Sequence, residues 1–124
     1  MITTSPALSA QIFEAQPTWD DTGLWTNKHR GGTYDREALA RHPQPDGSMV
    51  PLYHLEFLLT RLPKKIEDCW LAIIHKDVPK DTAAADIWTA GYTNGTGWLS
   101  NFQAKTATEA VGLLAYALTK LGTI

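Results

Sequence analysis

Apolar positions along the chain follow two regimes that meet near residue 49. Over residues 51–62, leucines recur at 52, 55, 59 and 62, with Phe57 and Leu58 widening the stripe, and this spacing predicts a helix. Pro51 suits its first turn, Pro63 stops it, and Arg61, Lys64 and Lys65 gather at its negative end. Residues 69–75, with Trp-Leu-Ala-Ile-Ile at their heart, read as a strand, and a polar segment over 76–85 follows with Pro79 inside it. Residues 86–93 and 98–104 read as two more strands. Asn94-Gly95-Thr96-Gly97 between them is a hairpin signal, because Asn and Gly tolerate the positive φ of tight turns. Residues 106–121 carry one apolar stripe through Ala107, Ala110, Val111, Leu114, Leu118 and Leu121. Thr106 and Glu109 have capping-box spacing, in which the hydroxyl accepts from one backbone amide and the glutamate reaches back to another. Gly122 marks the stop.

Residues 1–48 lack such periodicity and read as an irregular segment with short helical pieces. One or two turns fit residues 9–15, ended by Pro17. A longer piece fits residues 33–42, with Thr33 as cap, Glu37 near the positive end and Pro43 beyond. Asp20-Asp21-Thr22-Gly23 and Gln44-Pro45-Asp46-Gly47 read as turns.

The order helix, strand, strand, strand, helix over 49–124 predicts an α+β domain. Its α-β-β-β-α core holds an antiparallel three-stranded sheet with both helices on one face, preceded by the irregular segment 1–48. With a simple hairpin register, Trp70, Ala72 and Ile74 share the helix-covered face with Trp88, Ala90, Tyr92, Trp98, Ser100, Phe102 and Ala104. The other face then holds Leu71, Ile73, Ile87, Thr89, Leu99, Asn101 and Gln103. So many aliphatics need a cover, and the segment 1–48 is expected to pack across them as part of one domain, with another subunit as the alternative.

Composition narrows the function classes. Eleven Lys+Arg against thirteen Asp+Glu give a net charge of −2, which argues against a strongly basic nucleic-acid or membrane-surface binder. No apolar run approaches the roughly 20 residues of a membrane span, and the first residues lack signal-peptide character. The single cysteine, Cys69, has no internal partner, so a cytoplasmic protein is expected.

The element order over residues 50–122 resembles that of the double-stranded RNA-binding domain. That family opens its last helix with a lysine cluster, whereas this chain has Gln103-Ala104-Lys105-Thr106-Ala107-Thr108-Glu109, one lysine and one acid. His75 and Lys76 lie near the family's loop histidine, with Asp77, Asp81 and Asp86 around them. A helix ending in Leu62-Pro63, tryptophan-rich strands and a last helix opening Thr106-Ala107-Thr108-Glu109-Ala110 are also similar to small uncharacterised proteins of phages and prophages. This second resemblance implies a cytoplasmic accessory role and assigns no chemistry.

Candidate chemistry is sparse. His29, His42, His54 and His75 have no i, i+4 spacing for a metal, and His54-Leu55-Glu56 lacks the cysteine pair of a zinc deaminase. Asp20 and Asp21, with Asp35 or His29, read as a turn before they read as a cation site. Gly31-Gly32 after Lys28-His29-Arg30 has no phosphate-loop spacing. Cys69 follows Glu67 and Asp68, which disfavour a thiolate. No catalytic, metal or cofactor residue is therefore assigned. The surplus is aromatic: five tryptophans in 124 residues. Trp70, Trp88 and Trp98 are expected in the core. Trp19 and Trp25, with Leu71, Ile73 and Leu99, are the residues expected at a partner surface. The resulting expectation is a non-catalytic protein-binding accessory module, phage- or mobile-element-encoded and acting on a host component, with a protein partner or a second copy as ligand. The alternative is a nucleic-acid binder built on the double-stranded RNA-binding-domain-like fold.

Overall fold

The computed structural model describes residues 2–76 and 87–124. The polar segment anticipated over 76–85, with Pro79, Asp77 and Asp81, lies outside the described residues apart from Lys76, as does Asp86 at the expected start of the next strand. The fold is α+β with antiparallel sheets, but it is richer than an α-β-β-β-α core: the described residues form four helices and two sheets.

The first 48 residues are far from irregular. Helix α1 spans Pro6–Ala15 and starts earlier than its apolar pattern, because Ser5 caps it through Leu8 N–H at 3.3 Å and Pro6 occupies the first turn. Strands β1 (Trp25–Asn27), β2 (Gly31–Tyr34) and β3 (Met49–Pro51) form a three-stranded sheet in the order β2-β1-β3. Helix α2 (Arg36–Arg41) lies between β2 and β3 and is capped by Asp35 through Ala38 N–H at 2.7 Å, not by Thr33, which belongs to β2. Pro51 belongs to β3, opposite Trp25, where an edge strand tolerates a residue without N–H. The next helix, α3 (Leu55–Arg61), consequently begins at Leu55, with His54 Nδ1 accepting from Phe57 N–H at 3.1 Å.

The second sheet holds β4 (Lys65–Ile66), β5 (Cys69–Lys76), β6 (Ile87–Thr93) and β7 (Trp98–Ala104) in sequence order, all antiparallel. Strand β4 is an addition to the three expected strands, folded back through Glu67–Asp68, with Glu67 at φ 54°. Helix α4 (Ala107–Lys120) lies over this sheet, and α1 and α3 pack against α4. Squeezed between layers, α4 buries Ala110, Val111, Gly112, Leu114, Ala115 and Leu118, more than one stripe's worth. Leu121, placed on that stripe by spacing, is exposed. Leu8, Ile12, Trp19, Tyr53, Phe57, Leu58, Ala90 and Tyr92 complete one continuous core.

Several polar links tie the N-terminal residues to this core. Thr4 N–H donates to Tyr53 O at 2.8 Å. Thr106 caps α4 as expected, accepting from Glu109 N–H at 3.1 Å, but the other half of the capping box is redirected. The Glu109 carboxylate accepts from Ser5 N–H at 2.9 Å and from Ser5 Oγ at 2.8 Å, joining the first turns of α1 and α4.

The two faces of the sheet correct the predicted parity of β5. Leu71 pairs with Tyr92 and Ile73 with Ala90, so Leu71 and Ile73 lie on the helix-covered face and pack against the core. Trp70, Ala72 and Ile74 take the opposite, open face. In β7 the expected alternation holds for Ser100, Phe102 and Ala104, which pair with Tyr92, Ala90 and Trp88. It fails at Trp98, because Leu99 is an extra residue between the Tyr92–Ser100 and Thr93–Trp98 pairs. This bulge leaves both Trp98 and Leu99 exposed. The segment expected to cross the second face instead sends α1 against α4 on the helix side.

Candidate functional site

Side chains directly opposite across antiparallel strands share a face, so the pairing defines rows on the open face. One row runs Trp70–Thr93–Trp98, with Lys65 beside Trp70 on β4. The next runs Ala72–Gly91–Asn101, and the third Ile74–Thr89–Gln103. Trp70 is 58% exposed, Leu99 49%, Ile74 47% and Trp98 38%. These are four of the seven large apolar side chains exposed among the described residues, gathered on one surface. Lys65 Nζ stands 5.3 Å from the centroid of the Trp70 ring, a contact that orients the indole while leaving it open to a partner.

The row through Gly91 is low. A Cβ at Gly91 would run into Ser100 O and come within 2.8 Å of Asn101 Cα, so β7 approaches β6 too closely there for any side chain. Beside the Trp70–Thr93–Trp98 row, the open face thus carries no side chain at Gly91, between Ala72 and the exposed Asn101.

Concave sites lie elsewhere among the described residues. A groove of about 530 Å³ sits at the start of α4, between His54, Leu55, Glu56, Trp88, Lys105 and Thr108. His75 stacks on Trp88 near it, with ring centroids 4.4 Å apart and planes 19° apart. A smaller hollow of about 370 Å³ lies at the Lys28-His29-Arg30 turn, facing Asp46 and Gly47. Asn27 Oδ1 accepts from the backbone N–H groups of His29 and Arg30 at 2.9 and 3.1 Å, so that turn closes on itself. Among the described residues, no three His, Cys, Asp or Glu side chains come together to hold a metal ion. No helix among the described residues is long and apolar enough to cross a membrane.

The five residues expected at a partner surface are scattered by the fold. Trp19 is buried, 7% exposed, edge-on to Tyr53 and Phe57. Trp25 is half-buried in β1, and Leu71 and Ile73 face the helices. Leu99 alone of the five lies on the open face. Trp70 and Trp98, expected in the core, are the residues that join it there, while Trp88 does pack against the core. The signal that could have found Trp70 is the apolar character of both parities in β5, where either face is a possible core face. Compared with family models, curated proteins and solved structures, the chain matches none of them. Its geometry is what bears on its function.

Proposed function

We propose that this chain is a non-catalytic protein-binding module that works through the open face of the β4–β7 sheet. The observation that carries the reading is the concentration of exposed Trp70, Ile74, Trp98 and Leu99 on one face whose reverse side is packed by α4. Exposed tryptophans on a rigid sheet have the character of interface anchors, since they bring large contact area at low entropic cost. The strand residues on this face include Lys65 and Lys76 and no carboxylate, in a chain of net charge −2. These described strand residues are thus mildly positive, well short of the basic surface that phosphate binding uses.

Site-specific photo-crosslinking tests the proposal. A benzophenone residue at Gln103, exposed on the open face, is compared in expressing cells with one at Gln11, exposed on α1. Protein adducts from position 103 and not from position 11 are expected. No adduct from 103, or equal adducts from both, refutes the reading. An adduct removed by nuclease transfers the face to the nucleic-acid alternative.

A further inference from the structure

We propose that the groove at the start of α4 binds a small organic monoanion, a carboxylate carried on a planar apolar body. The groove lies on the helix side of the sheet, so the proposal stands apart from the reading of the open face. The polar groups of the groove are donors left without acceptors. In a closed capping box the Glu109 carboxylate would accept from Thr106 N–H. Here Ser5 holds that carboxylate, and the N–H groups of Thr106, Ala107 and Thr108 have no hydrogen-bond partner among the described residues. The Thr108 side chain points to a ligand independently. Thr108 is 4% exposed, and its hydroxyl also lacks a partner among the described residues. It is not sealed in, because the unpaired side-chain atom closed off from solvent among those residues is that of Thr26. The Thr108 hydroxyl therefore opens into the groove that this residue lines. A side chain so deeply buried normally has a partner, and a bound acceptor supplies one. His54 adds a donor: Nδ1 accepts from Phe57 N–H, which leaves the ring proton on Nε2.

Charge and shape narrow the ligand. Lys105 lines the groove and forms no ion pair with any described carboxylate. Together with the positive end of α4 it favours an anion. Glu56, in the first turn of α3, also lines the groove, and Glu109 lies in the first turn of α4. A dianion such as a phosphate monoester would be repelled by both, whereas a single negative charge is matched by Lys105. Ile2, Leu55 and Ala107 form apolar walls, and Trp88 lines a further side with its ring held in a stack with His75. Such walls take a planar hydrocarbon body. The volume of about 530 Å³ lies within the range of roughly 300–1,000 Å³ over which pockets bury small ligands.

Fluorine NMR of para-fluorophenylacetate with the full chain tests the proposal, with para-fluorophenylacetamide as the neutral counterpart. The acid should bind saturably, with a dissociation constant of about 0.1–3 mM for a ligand this small. The amide should bind at least about tenfold more weakly, since it lacks the charge. Thr108→Val keeps the side-chain shape and removes the hydroxyl, so it should weaken binding of the acid about three- to tenfold. Lys105→Ala, at an exposed position, should weaken it by about as much. Glu56→Gln should strengthen it about two- to fivefold, because a like charge is removed. Lys28→Ala, at a cation that lines the other hollow, should leave it unchanged. Circular dichroism confirms that each variant is folded; should Thr108→Val not fold, Lys105→Ala and Glu56→Gln decide. Absence of saturable binding up to about 20 mM, far above the expected constant, overturns the proposal. So do an amide that binds as tightly as the acid, an unchanged constant in folded Thr108→Val or in Lys105→Ala, weakening by Glu56→Gln, or equal weakening by Lys28→Ala and Lys105→Ala.

Discussion

Replacing Gly112 by alanine sets two opposed effects against each other. Glycine in a helix interior costs about 1 kcal/mol relative to alanine, so on propensity alone Gly112→Ala would stabilise α4. The packing of α1 against α4 opposes this. A Cβ at position 112 would lie 2.7 Å from Thr4 Cγ2 and 2.9 Å from Leu8 Cδ2, where carbon contacts normally begin at about 3.5 Å. Thr4 cannot turn away freely. Its Oγ1 lies 2.7 Å from Ser9 Oγ and accepts from Tyr53 N–H at 3.2 Å, both in the buried interior, and each such bond is worth about 1 kcal/mol. Leu8 is 3% exposed, so a new rotamer must find room in a filled core. Sliding α1 outward would strain the Ser5–Glu109 contacts. Overpacking of this kind costs about 1–3 kcal/mol and outweighs the propensity gain. Gly112→Ala should therefore lower stability by about 1–2 kcal/mol, read from the urea midpoint at constant m-value. Thr4→Ser removes Cγ2 and keeps the hydroxyl, so the double variant should be more stable than the sum of the two single effects by about 1 kcal/mol. A gain of about 1 kcal/mol from Gly112→Ala alone would refute the placement of α1 against α4.

Other consequences are equally measurable. A double-mutant cycle on Ser5→Ala and Glu109→Ala should return a coupling of about 1–3 kcal/mol, because the Ser5 Oγ bond to the carboxylate is common to both changes while the Ser5 N–H bond is lost only with Glu109; additive effects would show that the Ser5 hydroxyl does not bond Glu109. Thr26 is fully buried and its hydroxyl has no hydrogen-bond partner, so Thr26→Val should raise stability by about 1 kcal/mol in thermal melts, and a loss of that size would mean the hydroxyl is satisfied. Burial pushes the Tyr92 phenol up to about 12, and burial followed by the charge of Asp20 raises that of Tyr53. The unfolded chain loses these protons near pH 10, the folded chain later, so stability is flat below pH 10 on their account and falls above it. Phenolate absorbance at 295 nm should gain its last two tyrosines only with unfolding, and complete titration of an intact fold below pH 11 would contradict this.

Much of the second half of the chain was legible from local pattern. The 94–97 hairpin, the Thr106 cap and helix α4 all depend on residues a few positions apart, and they form as expected. The small sheet did not announce itself, because β1 and β3 are three residues long and pair across more than twenty positions, leaving no period to read. The same pairing claims Pro51 and shortens α3. Which face of β5 is the core could not be read from a strand apolar at both parities: a one-residue shift exchanges the faces, and only pairing to Tyr92 and Ala90 sets the parity. One extra residue, Leu99, then turned Trp98 from the predicted core face to the open one. The sequence by itself determined where α4, its Thr106 cap and the 94–97 hairpin form, since propensity, capping and turn chemistry are local. The tertiary structure decided which tryptophans are buried and which stand exposed, because burial depends on register and on what packs opposite, and neither is encoded within a single element.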